Sequence, residues 1–305
     1  MRFTLQYPVH SAENGGQLLT ASGMESIARS ADELGFGALA FTEHPAPSRK
    51  WMDAGGHETL DSFAALAFCA AVTQRIRLMS YLLVLPYHSP FVAAKALTTL
   101  DRLSGSRVTA VTGAGYLRSE FHALGVPFGE RNEIFDEALR LIRELWTTDT
   151  VHHEGEHFTA LGVAHEPRPL APGGPPILIG GNSRRARERA AEHQGWSPVL
   201  SDEATAAMRE RTTRTPGLVS VGQLATQIRH VREAAEDRTL TIQVQTPKSS
   251  ILLEEKPSFQ EHLEHVQELE AAGVDSFVVH AAGNTVGEVV ESLQRYAGHV
   301  DLSAS

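Results

Sequence analysis

The chain has 305 residues, 42% of them hydrophobic and 21% charged, with a formal net charge of −10. That length buries a large core and suits one big domain over residues 1–305, while the acidic balance excludes the basic footprint of non-specific nucleic-acid binding. No run approaches the roughly 20 apolar residues that span a bilayer, MRFTLQYP lacks a basic export leader, and the lone Cys69 excludes a disulfide framework, so the expectation is a cytoplasmic protein with no membrane partner.

Short β-rich runs alternate with helical patterns from end to end, the mark of βα units and a parallel sheet. Arg2 to Tyr7 reads as the first strand. Ser22, with Glu25 three residues on, predicts a capping box for a helix whose Met24, Ile27, Ala28, Ala31 and Leu34 share one face and which ends at Gly35. ALAFTEH around 38–44 is the second strand, followed by a loop and an apolar helix from about Thr59 to Val72. IRLMSYLLVL is too apolar for an edge and reads as a third, buried strand. Ser89 and Pro90 then start a helix.

RVTAVTGAG is the fourth strand, with a glycine-rich exit, and a later helix carries Ile134, Ala138, Leu141 and Leu145 on one face. His152 to Pro175 is rich in Gly, Pro and His and predicts a hairpin or loop excursion before PPILIGGNS, the fifth strand. GWSPV follows as a short sixth strand, and residues 201–220, polar and weakly periodic, predict a surface loop or lid. LTIQVQ, a helix capped by Ser258 and Glu261, DSFVVH, and a helix capped by Thr285 and Glu288 complete the chain. About eight strand–helix pairs predict a single (β/α)8 TIM barrel with insertion segments after strands 4 and 6. An open doubly wound sheet would want G-x-G-x-x-G after the first strand, which PVHSAENGGQ does not supply.

In such a barrel the chemistry sits where strands end. The second strand ends in Glu43-His44, a proton-exchanging imidazole with a carboxylate that could orient it; a packed strand-end histidine is the plain alternative. The fourth exits through Gly113-Ala114-Gly115-Tyr116, whose glycines admit close backbone approach or an ordinary turn. The fifth exits through Gly180, Gly181, Asn182 and Ser183 into a helix, an amide-lined anion site, with Arg184, Arg185, Arg187 and Arg189 following. His10, Tyr116, Gln245 and His280 lie at or beyond strand ends as candidate substrate contacts, and Trp51 and Met52 could cover a pocket.

These segments together resemble the luciferase-like monooxygenase superfamily, and especially its branch that uses the deazaflavin coenzyme F-420. The resemblance rests on EH at 43–44, LVLPYHSP at 83–90 with AKALTTLDRLSGSRV after it, GAGYLRSEFHALGVPF at 113–128, RNEIFDEALRLIRELWT at 131–147, PPILIGGNS at 175–183 and GW at 195–196. It implies that His44 lies beside the cofactor ring as the leading catalytic residue; Glu43, as its sequence neighbour, and Tyr116, as a proton or hydrogen-bond donor, are the further catalytic candidates. It implies a non-prolyl cis bond at Ser80–Tyr81 or Tyr81–Leu82 behind the ring, Gly113 and Gly115 along the ribityl chain, and the amides of Gly180, Gly181, Asn182 and Ser183 on the cofactor phosphate. Many relatives carry Trp or Glu where Tyr116 stands, which argues against sugar-phosphate oxidation. The expected activity is hydride transfer between coenzyme F-420 and a small organic substrate, by a homodimer.

The nearest alternative is an FMN-dependent monooxygenase using reduced flavin and oxygen. A metal-dependent hydrolase is suggested by 15 histidines, but no H-x-H on the first strand and no H-E-x-x-H on a helix supports a metal site. A cofactor-binding barrel without turnover is the third alternative.

Overall fold

A computed structural model describes residues 1–9, 16–213, 217–236 and 238–302. In chain order come β1 (Arg2–Gln6), α1 (Ala21–Leu34), β2 (Ala38–Phe41), α2 (Arg49–Asp53), α3 (Ser62–Val72), β3 (Arg77–Val84), α4 (Pro90–Ser104), β4 (Val108–Gly113), α5 (Arg118–Ala123) and α6 (Arg131–Thr147). An antiparallel hairpin of β5 (Val151–Glu154) and β6 (Thr159–Val163) follows. The rest is β7 (Ile177–Gly180), α7 (Arg184–Glu192), β8 (Gly195–Ser197), α8 (Glu203–Thr213), α9 (Val221–Ala234), β9 (Thr241–Val244), α10 (Phe259–Ala271), β10 (Ser276–His280) and α11 (Val286–Ala297). Eight strands form a closed barrel in the order β1-β10-β9-β8-β7-β4-β3-β2, the arrangement of the expected (β/α)8 fold, and the hairpin forms a separate sheet. Among the described residues no helix is long and apolar enough to cross a membrane.

Contacts divide the chain into two compact units, the first made of Met1–Ala40, Val72–Arg77 and Ile177–Ser305, the second of Phe41–Ala71 and Leu78–Pro176. In unit 1 the strand alternation of β1 sorts its side chains to two faces. Phe3 meets Tyr296 of α11 edge-on, with ring centroids 5.8 Å apart, whereas Thr4 turns the other way and donates to Gln243 Oε1 at 2.8 Å. Helix α1 buries Met24, Ile27, Ala28 and Ala31 and stops at Gly35, whose φ of +94° is the left-handed conformation that ends a helix most cheaply without a Cβ. Its cap is Thr20 rather than the expected Ser22: the Thr20 hydroxyl accepts from Gly23 N at 3.1 Å, and Ser22 already lies inside the first turn. Ser258 and Thr285 cap α10 and α11 as expected, the latter in a reciprocal box with Glu288.

Residues 201–220, expected to be a loop or lid, instead contain α8, and Ser220 at their end caps α9. Glu, Ala, Met and Arg in EATAAMRERTT are good helix formers, and intrinsic propensity outweighed the missing amphipathic stripe.

In unit 2 helix α6 buries Ile134, Ala138, Leu141 and Leu145, and its Trp146 indole donates to Ala94 O of α4 at 3.4 Å. Helix α3 begins at Ser62, three residues later than expected, and keeps Cys69 fully buried, where burial pushes the thiol up to about 12. Pro90 starts α4, although the Ser89 side chain makes no capping bond. The excursion at 152–175 does hold a hairpin, and it is fastened to α6 through Glu137. That carboxylate accepts from His153 Nε2 at 3.0 Å, His157 N at 3.0 Å and Phe158 N at 2.9 Å. A Cβ on Gly155 would come within 1.8 Å of Glu137 Oε1, so glycine is required at that approach.

Candidate functional site

The site in unit 2 is built around His44, three residues beyond the end of β2. Its side chain is 8% exposed and its backbone is stapled by one hydroxyl, Thr59 Oγ1, which accepts from His44 N at 3.2 Å and donates to His44 O at 3.0 Å. Three rings gather on the imidazole: Trp51 of α2 at 4.5 Å between centroids, His57 at 5.2 Å and Tyr116 at 6.1 Å. Trp51 also meets His57 edge-on at 5.4 Å. A Cβ on Gly56 would collide with the indole at 2.3 Å, so the turn after α2 closes tightly on Trp51. Tyr116 remains 53% exposed, an open aromatic face on an otherwise packed cluster.

Glu43 faces elsewhere. Its oxygens accept from Val84 N at 2.7 Å and from His88 Nε2 at 2.7 Å, because neighbouring residues in extended chain point to opposite sides. The carboxylate that touches His44 is Glu120 of α5: its Oε2 lies 3.2 Å from His44 Nδ1 and accepts from Tyr87 Oη at 2.9 Å, and its Oε1 accepts from Ala46 N at 3.3 Å. Burial, then the charge of Glu120, pushes the Tyr87 phenol above its ordinary range. Neither Glu120 nor Tyr87 was singled out from sequence. The signal for Glu120 is its phase, since it falls with Leu117, Phe121 and Leu124 at helical spacing, and a carboxylate on such a face has to be met by donors.

The bond Tyr81–Leu82 is a non-prolyl cis peptide, the second of the two positions the resemblance proposed. The β3–β4 register slips there, Tyr81 opposing Val111 and Leu83 opposing Thr112, so Leu82 is the extra residue of a bulge. Ser80 Oγ donates to Val111 O at 3.2 Å. The glycines of β4's exit face this bulge. A Cβ on Gly113 would come within 2.9 Å of Leu82, and one on Gly115, at φ +74°, within 2.6 Å of Val84. Backbone conformation and packing therefore demand glycine at Gly115, while at Gly113 a side chain would have to displace the Leu82 methyls.

The turn after β7, in unit 1, is a separate candidate. Asn182 bridges backbone, donating to Val199 O at 2.7 Å and accepting from Val199 N at 2.9 Å, and Ser183 Oγ caps α7 by accepting from Ala186 N at 3.1 Å. Both side chains are thus committed to the fold. Arg187 donates to Asn182 O at 2.7 Å and brings a guanidinium to the turn. Gly181 has φ +105°, and a Cβ there would meet only Ala186 at 3.8 Å, but its N–H donates to Ser197 O at 3.2 Å and its O accepts from Trp196 Nε1 at 2.8 Å, so the Gly181 amide expected on the cofactor phosphate is already engaged within the fold. Ser197, across from Gly180 in register, is buried, and its Oγ has no hydrogen-bond partner among the described residues. An unanswered hydroxyl donor and a guanidinium at this turn fit an anionic group such as a phosphate.

Of the substrate-contact candidates, His280 ends β10 with Nδ1 3.1 Å from Ser250 Oγ, and Gln245 lies just past β9, its amide donating to Pro198 O at 3.4 Å. His10 lies outside the described residues. Among the described residues no group of three His, Cys, Asp or Glu is placed to hold a metal ion.

A protein-family model described as luciferase-like monooxygenase matches residues 1–238. An uncharacterised protein of Mycobacterium tuberculosis is 34% identical over 152 residues, 50% of this chain and 51% of that protein. The FMNH(2)-dependent dimethylsulfone monooxygenase of Pseudomonas putida is 32% identical over 143 residues, 46% of this chain and 38% of that one. The chain thus spans about half the length, or less, of the curated relatives it matches. Among solved structures, monooxygenase RslO1 from Streptomyces bottropensis superposes with a TM-score of 0.76 at 21% identity over 100% of both chains. An F-420-dependent secondary alcohol dehydrogenase, in complex with an F-420–acetone adduct, does so with a TM-score of 0.71 at 13% identity, covering 99% of this chain and 98% of that one. At those identities the structural likeness shows the fold alone, but the family model covers well over half of the sequence, and this chain belongs to the luciferase-like monooxygenase family.

Proposed function

We propose that this protein is a deazaflavin-dependent oxidoreductase, moving a hydride between coenzyme F-420 and a small organic substrate while His44 exchanges the accompanying proton. The observation that carries the reading is His44 itself, a nearly buried imidazole ringed by Trp51, His57 and Tyr116, with Tyr116 left open for a ligand. A ring of that kind excludes water around an imidazole, the side chain that most often does general acid–base work. The coenzyme would supply the hydride carrier. The protein's own residues would orient the substrate at Tyr116 and hold the proton at His44.

The relative named as FMNH(2)-dependent favours a second reading, a monooxygenase using reduced FMN and oxygen. Fluorescence titration of the purified chain with oxidised F-420 and, separately, with FMN tests both. Micromolar binding of F-420, together with oxidation of reduced F-420 by small ketones that falls on the order of 10²-fold or more in His44→Ala, is the expected result. Binding of FMN alone supports the second reading, and binding of neither overturns both.

A further inference from the structure

We infer that Glu120 is the positioning residue of this site, fixing His44 as the Nδ1–H tautomer so that Nε2 is the atom that exchanges the proton. The inference rests on His44 being the proton-exchanging group, as proposed above. The sequence places the acidic neighbour Glu43 beside His44, but the structure commits both Glu43 oxygens to Val84 N and His88. Glu120, 76 residues along the chain, is fully buried and receives three groups: the His44 ring nitrogen, the Tyr87 hydroxyl and the Ala46 amide.

The proton assignments follow from what each group is able to do. A backbone N–H can only donate, and Ala46 donates to Oε1. Tyr87, whose phenol burial keeps protonated, donates to Oε2. An ionised carboxylate has acceptors alone, so the remaining contact at 3.2 Å requires the proton to sit on His44 Nδ1. The neutral ring then has its lone pair on Nε2. Thr59 holds the backbone of the same residue at both N and O, so the ring is fixed from its main chain and from one nitrogen, leaving the other nitrogen for chemistry.

In the alcohol-oxidising direction the substrate O–H breaks and Nε2–H forms, while the C–H electron pair leaves as hydride for the coenzyme, giving a carbonyl; the reverse direction returns the same proton from Nε2. The imidazolium that results stands 3.2 Å from the Glu120 carboxylate, whose charge stabilises it. Tyr87 steadies that carboxylate in turn. Its hydroxyl occupies part of Oε2, and its ring packs on Phe121 at 4.8 Å between centroids, anchoring the carboxylate to α5.

Nitrogen-15 NMR of histidine-labelled protein without coenzyme, at about pH 9 where a histidine ring is neutral, reads the tautomer directly, with the His44 signals assigned by their loss in His44→Gln. The expected spectrum has Nδ1 protonated and Nε2 bare; an Nε2–H form in the wild type overturns the inference. The second arm is Glu120→Gln, which keeps the size of the side chain and removes its charge. The expected result is kcat lowered on the order of 10–100-fold with KM within about 2-fold, and an unchanged kcat overturns the inference. If the Nδ1–H tautomer is found while His44→Ala turns over normally, the pairing stands and the proposed role of His44 falls, so the two failures are distinguishable.

Discussion

The two compact units bury histidines against partners of different kinds. In unit 2, His44, His88 and His153 each meet a buried glutamate, Glu120 at 3.2 Å, Glu43 at 2.7 Å and Glu137 at 3.0 Å, while His165 meets the Thr98 hydroxyl at 2.9 Å. In unit 1, His262, His265 and His280 each meet a hydroxyl, that of Tyr296 at 2.9 Å, Thr246 at 3.1 Å and Ser250 at 3.1 Å, and His265 also stands 3.8 Å from the exposed Glu268 carboxylate. A carboxylate welcomes the charged ring, whereas a hydroxyl serves the neutral ring as well as the charged one and offers no countercharge. The difference lies in the partners: the three buried glutamates that meet these histidines all lie in the unit that supplies the candidate catalytic one. Within unit 2 the same pair serves two ends. Glu137 spends two of its three bonds on hairpin amides and is a fastening, while Glu120 spends two of three on side chains and is a positioning group.

The largest effect that would break this comparison is on stability. Glu137→Ala strands His153 and two amides of the hairpin together, and breaking a buried pair of this kind costs about 3–5 kcal/mol. Urea unfolding should show that loss, and hydrogen exchange should show it concentrated in residues 151–163. A loss under about 1 kcal/mol would mean that the hairpin does not depend on its carboxylate. Coenzyme affinity should be unchanged, in contrast to the kcat effect expected at Glu120.

The second test is pH. Burial, and then His265 and Lys248, lower the His262 pKa to about 4 from an ordinary 6.5. The unfolded chain takes up a proton as pH falls past 6.5 and the folded chain only near 4, so the contribution of the neutral ring is complete above 6.5 and drains away across that window. Two and a half units correspond to at most about 3 kcal/mol. Glu137 behaves differently: burial opposes its charge, but hydrogen bonds from His153 and the Phe158 and His157 amides outweigh burial and hold its carboxyl below the usual range. Its contribution is complete above about pH 4.3 and is lost only as pH falls further, through the lowered value. Between pH 6.5 and 5, therefore, hydrogen exchange should quicken in α10 and α11 before it does in the hairpin. His262→Asn should flatten the pH dependence in that range, and a hairpin that opens first would contradict the assignment.

Much of this arrangement is legible in the sequence, for reasons that lie in periodicity. Strand runs such as ALAF and VTAVTG are buried throughout and announce themselves by continuous apolar character. The Thr285–Glu288 box and the Gly35 stop are local codes that need no tertiary partner. His44 is likewise legible, as an unusual residue at a strand end. The carboxylates that govern the histidines are not, because pairing across 76 residues between His44 and Glu120 is set by topology. They do leave one trace. Glu120 and Glu137 both stand in the apolar phase of their helices, Glu137 among Ile134, Ala138 and Leu141, where an acid is out of place unless donors converge on it. The β4 glycines are ambiguous for a related reason: local pattern offers them as room for a ligand, and the bulge at Leu82 that packs against Gly113 is invisible to it.

The smallest effect sharpens the comparison most finely, because it concerns a hydroxyl of unit 1 that serves no histidine. Ser197 Oγ is buried and has no hydrogen-bond partner among the described residues. Removing a group that makes no bond relieves its desolvation, so Ser197→Ala should leave the unfolding free energy within about 0.5 kcal/mol of wild type or raise it slightly. If the hydroxyl instead answers an anion held at the turn after β7, the same variant should weaken coenzyme binding several-fold by fluorescence titration while stability holds. A loss of stability above about 1 kcal/mol with unchanged affinity would assign Ser197 to packing. Any anion at this turn would then be left to other donors such as Arg187.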